Sequence, residues 1–277
     1  MKKLIKSLIV LALLILFAET STSQVTVAPV LITLDDQNRF GTYMVQNRSD
    51  SPQDVTVDFV FGYPSSDSLG NTYMVYDDSV RAGRYSAAPW VRAFPRVFTV
   101  APGQQQTVRL TSRPPSDLDD GMYWARIKTS ASARPDEADT LGSTTIGARI
   151  IFRFEQITTV MFRKGTVTTG IETGTHTISE ADDTHHLLLT LQQTGNAPFL
   201  GTMEVVVSDA NARNVFEHSE PVAIYFDVEK KIAIPSDILE PGSYKAQVRF
   251  KTSRADIPAA SIVQAPTITD TFSFTVQ

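Results

Sequence analysis

The sequence predicts an all-β protein built from two immunoglobulin-like β-sandwich domains in tandem. Short runs of alternating apolar and polar residues recur along the chain, and Pro, Gly, Asn and Asp bound them. No heptad, long helical period or low-complexity tract interrupts these runs. The chain has 277 residues, and one sandwich of this kind needs roughly 100, so its length accommodates two.

Residues 1–23 are predicted to be a cleavable export signal. Three lysines lie within the first six residues, an apolar stretch follows at residues 8–17, and small polar residues precede the expected cleavage after Ser23. A membrane-spanning helix needs about 20 apolar residues, so we expect no stable membrane anchor. The sequence contains no cysteine, which excludes disulfides and a cysteine-linked lipid.

Residues 24–154 are predicted to form the first domain. Its strands are expected near residues 30–34, 40–46, 55–61, 97–100, 107–111 and 122–127. The alternation is clearest at residues 55–61, where Thr56 and Asp58 are expected to face water. A polar insertion at residues 62–86 is predicted to be a hairpin or a mobile loop, with a ligand contact as the alternative.

Residues 155–277 are predicted to form the second domain. Its strands are expected near residues 157–162, 187–192, 203–207, 223–234, 244–250 and 272–276. The turn Glu240-Pro241-Gly242 leads directly into a strand, as the turn Ala101-Pro102-Gly103 does in the first domain.

Several function classes are disfavoured by composition and motifs. The formal net charge is −5, whereas nucleic-acid binding needs a basic surface. The sequence has no Gly-x-Ser-x-Gly elbow, phosphate-binding loop, His-Glu-x-x-His or cysteine nucleophile. His185 and His186 are adjacent, so they would point to opposite faces of a strand and could not share a metal ion. We therefore expect no enzyme activity, no metal and no cofactor.

One stretch of the first domain carries a resemblance to a known family. The stretch contains a proline and a phenylalanine before a Pro-Gly turn, then Gln, Arg and Leu, and finally Asp-Gly-x-Tyr-Trp. These residues are Pro95, Phe98, Pro102, Gly103, Gln106, Arg109, Leu110, Asp120, Gly121, Tyr123 and Trp124. The pattern resembles the first domain of the PapD-like periplasmic chaperones, which assemble pili by the chaperone–usher route.

The resemblance implies a mechanism of strand donation. In that family the last strand of the first domain is lent to an incomplete subunit, whose backbone pairs with it while alternate side chains fill the subunit's groove. Here the alternate positions expected to contact the subunit are Gly142, Thr144, Ile146 and Ala148. The implied partners are a pilin-like or other β-rich surface subunit and an outer-membrane usher.

The resemblance also implies two basic residues that bind the subunit's C-terminal carboxylate by charge-assisted hydrogen bonds. Arg149 falls where the family has a lysine anchor. The arginine anchor of the opening strand corresponds to Leu31, and the nearest basic alternative is Arg39.

The sequence therefore predicts a periplasmic chaperone for pilus, fimbrial or other surface subunits. The alternative is a structural or adhesive component of a cell-surface assembly that keeps the fold but donates no strand. Leu31 and the small residues before Arg149 favour that alternative. A carbohydrate-binding module is a third hypothesis, and it depends on the aromatic residues Tyr73 and Tyr76.

Overall fold

The computed structural model describes residues 25–134 and 152–277 and confirms the predicted all-β fold class. The described strands form two sandwiches joined by a short linker. The predicted export signal lies outside the described residues. None of the helices in the described part is long and apolar enough to cross a membrane.

The first sandwich packs a four-stranded sheet against a five-stranded sheet. The four-stranded sheet contains, in spatial order, β1 (Val25–Ala28), β3 (Phe40–Asn47), β9 (Gln105–Ser112) and β7 (Val91–Phe94). The five-stranded sheet contains β2 (Leu31–Asp35), β11 (Arg153–Lys164), β10 (Gly121–Ala133), β4 (Gln53–Val60) and β8 (Val97–Val100). Apolar side chains at alternate positions fill the space between the sheets, among them the fully buried Val45, Val57, Leu110, Ile127 and Phe162.

The polar insertion forms a hairpin and a short helix. The hairpin strands are β5 (Tyr63–Ser66) and β6 (Thr72–Val75), and the helix α1 spans Ser79–Tyr85. Asp78 caps the helix, because its side chain accepts a hydrogen bond from the backbone N–H of Arg81 at 2.9 Å.

Strand β11 runs across the boundary predicted after residue 154, because it lies entirely in the five-stranded sheet of the first sandwich. It pairs antiparallel with β10 from Arg153 to Lys164. Residues 158–162 are buried on both faces of the strand, one against the sandwich core and one towards the second domain. A strand buried on both faces lacks the alternation that marks a half-buried strand, so the pattern gave no sign that it continued the first domain.

The linker comprises residues 165–168, and the second sandwich begins after it. Its three-stranded sheet contains β12 (Thr169–Ala181), β13 (Thr184–Gly195) and β16 (Val228–Pro235). Its four-stranded sheet contains β15 (Asn214–Ile224), β14 (Phe199–Ser208), β17 (Gly242–Lys251) and β18 (Ile268–Val276). Single 3-10 turns occur at Ser236–Ile238 and Ala259–Ser261.

The single strand predicted at residues 223–234 is wrong. β15 and β16 belong to different sheets, and residues 225–227 carry the chain from one sheet to the other. Tyr225 is 3% exposed at this crossing and packs against the first domain. The apolar run therefore continues through the crossing, which explains why it looked like one strand.

A third apolar cluster joins the two domains. It combines residues from the outer face of the five-stranded sheet, the insertion and the second domain. Its buried members are Leu31, Phe61, Tyr63, Met122, Trp124, Met161, Ala197, Leu200, Tyr225, Ile257 and Ile262. Trp124 is 1% exposed and stacks on Phe61 and Tyr85 while meeting Tyr225 edge-on. Its ring therefore belongs to the contact between domains and not to the interior of the first sandwich.

Candidate functional site

β11 has one side that the described strands cover only in part. β10 follows its whole length, but β2 pairs with it only from Thr159 to Arg163. No other described strand forms ladder pairs with Arg153, Glu155 or Ile157 on the side opposite β10, although the side chain of Gln156 donates a hydrogen bond to the carbonyl of Val25 in β1 at 2.7 Å. This segment is therefore an open strand edge, the feature of a sheet to which another chain can add.

The backbone groups that face the open edge follow from the strand's geometry. The backbone N–H of Thr159 points towards β2, because it donates to the carbonyl of Val30 at 3.0 Å. Backbone groups alternate in direction along a strand, so Arg153, Glu155 and Ile157 also direct their N–H and C=O groups to that side. These three residues can pair with an added strand.

Two phenylalanines extend the core-facing row of β11 beyond the sandwich. Phe152 and Phe154 share the alternate register of Val160 and Phe162, which are fully buried. Phe152 is 65% exposed and Phe154 is 36% exposed, with ring centroids 6.5 Å apart. The open edge thus carries large apolar side chains on the same face that fills the core elsewhere.

The opposite face of the open edge carries charge. Glu155 lies between Lys128 and Arg153, with nitrogen–oxygen distances of 3.1 Å and 3.6 Å. The hydrogen bond from Lys128 is the main reason why the pKa of Glu155 lies below its ordinary value. Ile157 follows on this face and is 43% exposed. The edge therefore presents one aromatic face and one mixed charged face.

A cation lies in the cleft between the domains, next to the point where the open edge ends. Arg126 is half-buried on β10, directly opposite Thr159 of β11. Its Nε donates to the carbonyl of Gly62 at 2.9 Å, and its Nη1 donates to Thr159 Oγ1 at 2.6 Å. Its Cζ lies 5.0 Å from the ring centroid of Tyr225 in the second domain.

The surroundings of Arg126 are suited to an anion. The acceptors from Gly62 and Thr159 are neutral oxygens, and no carboxylate among residues 25–134 and 152–277 forms an ion pair with Arg126. Burial raises the pKa of Tyr225, and the positive charge of Arg126 opposes that shift. A carboxylate entering the cleft would gain charge-assisted hydrogen bonds from a guanidinium that is already oriented.

Of the predicted site residues, the structure describes Arg39 alone. Gly142, Thr144, Ile146, Ala148 and Arg149 lie outside the described residues, immediately before β11 in the chain.

Arg39 is described, and it lies at the end of β11 away from the open edge. There it pairs with Asp36 at 3.2 Å, and Asp36 also binds Lys164, the last residue of β11, at 2.8 Å. The structure does not bring Arg39 to Arg126 or to residues 153–158.

Sequence reasoning missed Phe152, Phe154 and Arg126. The spacing Phe152-Arg153-Phe154 was a usable signal, because it repeats an aromatic residue with the period of a strand. Arg126 follows Trp124 by two residues, so it had to lie on the same face as that tryptophan. Neither signal identified the cleft, because the position of the second domain was not known.

The adjacent histidines of β13 lie on opposite faces of the strand. His185 is 4% exposed within β13 and faces the domain core, while His186 faces the other way. This geometry confirms that the two rings diverge. The described residues contain no group of three potential metal ligands.

No family model matches the chain, and no curated protein matches it by sequence. Solved structures match it at low identity. The YadV chaperone is 8% identical with a TM-score of 0.47, covering 89% of this chain and 100% of its own.

Two further matches come from complexes. One is the CsuC–CsuE chaperone–tip adhesion subunit pre-assembly complex from the archaic chaperone–usher Csu pili of Acinetobacter baumannii. Its identity is 10% and its TM-score is 0.46, and the match covers 89% of this chain and 98% of the matched chain. The other is the Salmonella enterica SafA pilin with the SafB chaperone, at 12% identity, TM-score 0.45 and coverage of 93% and 98%. All three matches have TM-scores below 0.5 and identities of 12% or less.

Proposed function

We propose that this protein is a non-enzymatic periplasmic assembly chaperone that binds a β-rich surface subunit along the open edge of β11. The observation that carries the proposal is that no described strand pairs with Arg153, Glu155 and Ile157 on their outer side, next to the exposed row of Phe152 and Phe154. Backbone groups of an added strand would pair with the edge, and the phenylalanines would enter an apolar groove of the subunit.

Arg126 supplies the second contact in this proposal. A subunit strand that pairs with residues 153–158 would end beside Thr159, where the guanidinium of Arg126 lies. A terminal carboxylate at this point would pair with Arg126 and remain partly shielded from water, which strengthens the pair. Arg149, the anchor implied by the resemblance, remains a candidate for a second cation.

Two properties of the sequence agree with this proposal. The predicted export signal would place the chain where surface subunits are assembled, and the motif from Pro95 to Trp124 resembles the chaperone family. A pilus or fimbrial subunit is the proposed client, and an outer-membrane usher is the proposed receiver of the complex.

Co-purification of the tagged protein from its native envelope tests the proposal. The double variant Phe152→Ser/Phe154→Ser and the single variants Arg126→Ala and Arg149→Ala are compared with the unaltered chain. The control for the phenylalanines is Phe40→Ser/Phe94→Ser, two exposed phenylalanines of the other sheet. The control for the arginines is Arg109→Ala on that same sheet.

We expect one small β-rich partner that the controls retain. The phenylalanine double variant should lose it, and Arg126→Ala should bind it more weakly. A partner retained by every variant would contradict strand donation and favour the structural or adhesive component of a surface assembly.

A further inference from the structure

The insertion at residues 62–86 contacts the second domain, although its strands belong to neither sandwich. It leaves the first domain after β4 and returns before β7. Tyr63 and Tyr85 both join the apolar cluster between the domains. Of the two predicted alternatives, a hairpin or a mobile loop, the structure has the hairpin, and the segment packs against the neighbouring domain.

The first contact is an aromatic and cationic stack on Phe226. The Cζ of Arg81 lies 4.1 Å from the Phe226 ring centroid, and the Tyr63 ring meets the same phenylalanine edge-on at 4.7 Å. Arg81 Nη1 donates to the Tyr63 hydroxyl at 2.7 Å, and that hydroxyl donates to Asp78 at 2.7 Å. These hydrogen bonds thus link helix α1 to strand β5 at the point where both contact Phe226.

The second contact is made by the hairpin tip, which lies on β16. The backbone N–H of Glu229 donates to Ser66 Oγ at 2.7 Å, and Lys231 Nζ donates to Asn71 Oδ1 at 2.6 Å. Gly70 makes the closest approach. A Cβ atom there would lie 2.7 Å from the backbone nitrogen of Lys231, closer than real contacts allow.

We propose that the insertion is an interdomain clamp that fixes the second domain and thereby sets the width of the cleft around Arg126. The linker at residues 165–168 and the apolar cluster already attach the second domain, and the clamp adds a further attachment on β16. An added attachment restricts the rotation that a short linker permits. Phe226 directly follows Tyr225 in the chain, so the contacts that fix Phe226 also fix the Tyr225 ring, which lies beside Arg126. This inference goes beyond the proposed function, because it holds whatever binds in the cleft.

Gly70→Val tests the clamp, and Gly103→Val is its matched control. The two glycines have φ values of +74° and +69°, so valine strains both backbones alike. Gly103 has nothing within 4 Å of its Cβ position, whereas Gly70 contacts the second domain. A difference between the variants therefore reports the interdomain contact and not backbone strain.

The measurements are the hydrogen exchange of the Glu229 amide and the radius of gyration in solution, both on the full mature chain. We expect Gly70→Val to speed the exchange about tenfold or more and to increase the radius of gyration, while Gly103→Val changes neither. Unchanged exchange and an unchanged radius in Gly70→Val would overturn the clamp.

A second variant covers the case in which Gly70→Val does not fold. Arg81→Met keeps an apolar side chain over Phe226 but removes the cation and the hydrogen bond to Tyr63. In Arg81→Met the Glu229 amide should exchange faster and the radius of gyration should increase, both by less than in Gly70→Val. Wild-type values for both would overturn the proposal.

Discussion

The two halves of β11 differ in what lies beside them, although they form one strand. Residues 159–163 run between β10 and β2, and the fully buried Val160 and Phe162 pack in the sandwich core. Residues 153–158 keep β10 as a neighbour but lie beyond β2, and they bear exposed apolar side chains. One half therefore stabilises the sandwich, while the other leaves hydrogen-bonding capacity and apolar surface for another molecule.

A phenylalanine in each half should show the largest difference. Phe162 is fully buried, so Phe162→Ala should lower the free energy of unfolding by about 3–5 kcal/mol through lost burial and a new cavity. Phe154 is 36% exposed at the strand's open end, so Phe154→Ala should cost less than about 1 kcal/mol. Guanidinium denaturation of the two variants measures both values. Equal losses would contradict the division of β11 into two halves.

A proline placed on the open edge should weaken partner binding without unfolding the domain. The N–H of Ile157 faces the open side, so Ile157→Pro removes a donor that the fold does not use. We expect affinity for the co-purified partner to fall by about tenfold, the value of one backbone hydrogen bond. Thr158→Pro is the control, because that N–H faces β10. It should destabilise the fold, and equal destabilisation by Ile157→Pro would contradict the assigned backbone directions.

Thr158 lies where the two halves meet and carries a buried hydroxyl with no hydrogen-bond partner. Thr158→Val keeps the shape and removes that polar group, so it should raise the free energy of unfolding by about 1 kcal/mol. Thr129→Val is the matched control, because the Thr129 hydroxyl lies 3.3 Å from the Tyr43 hydroxyl. The control should destabilise the protein. Stabilisation by both substitutions, measured by denaturation, would refute this explanation.

The charged face of the open edge should give the smallest effect, and it depends on pH. The pKa of Glu155 is lower in the folded protein than in the unfolded chain. Its contribution to the free energy of unfolding is therefore complete at pH values above the ordinary carboxyl pKa, and it is lost as the pH falls through the lowered pKa. Lys128 and Glu155 are 33% and 41% exposed, so the effect should be a few tenths of a kcal/mol. Lys128→Met should reduce this acid dependence of the unfolding free energy. An unchanged acid profile would show that the pair contributes nothing.

The sequence predicted the fold class well because alternation and turn residues are local signals. The Pro-Gly turn at residues 102–103 and the strands beside it are where the pattern placed them. The prediction failed at β11, where Thr158, Thr159 and Met161 are all buried and the strand does not alternate. Met161 is buried by contact with the second domain, and a local sequence pattern carries no information about where that domain lies.

The candidate site was harder to predict than the fold for the same reason. Arg126 and Tyr225 are almost 100 residues apart in the chain, and packing between the domains brings them together. The exposed Phe152 and Phe154 resemble core residues in a one-dimensional pattern. Only the position of the sandwich's end distinguishes them from Val160 and Phe162.

Site-specific photo-crosslinking in the native cell tests the central claim most directly. A photoreactive p-benzoylphenylalanine replaces Phe154 in one chain and Phe94, which is 77% exposed on the other sheet, in another. We predict a discrete adduct with a small β-rich exported protein from position 154, absent from position 94 and strongly reduced when Ile157→Pro is added. No adduct at position 154, or one that Ile157→Pro leaves unchanged, would contradict strand addition at the open edge of β11.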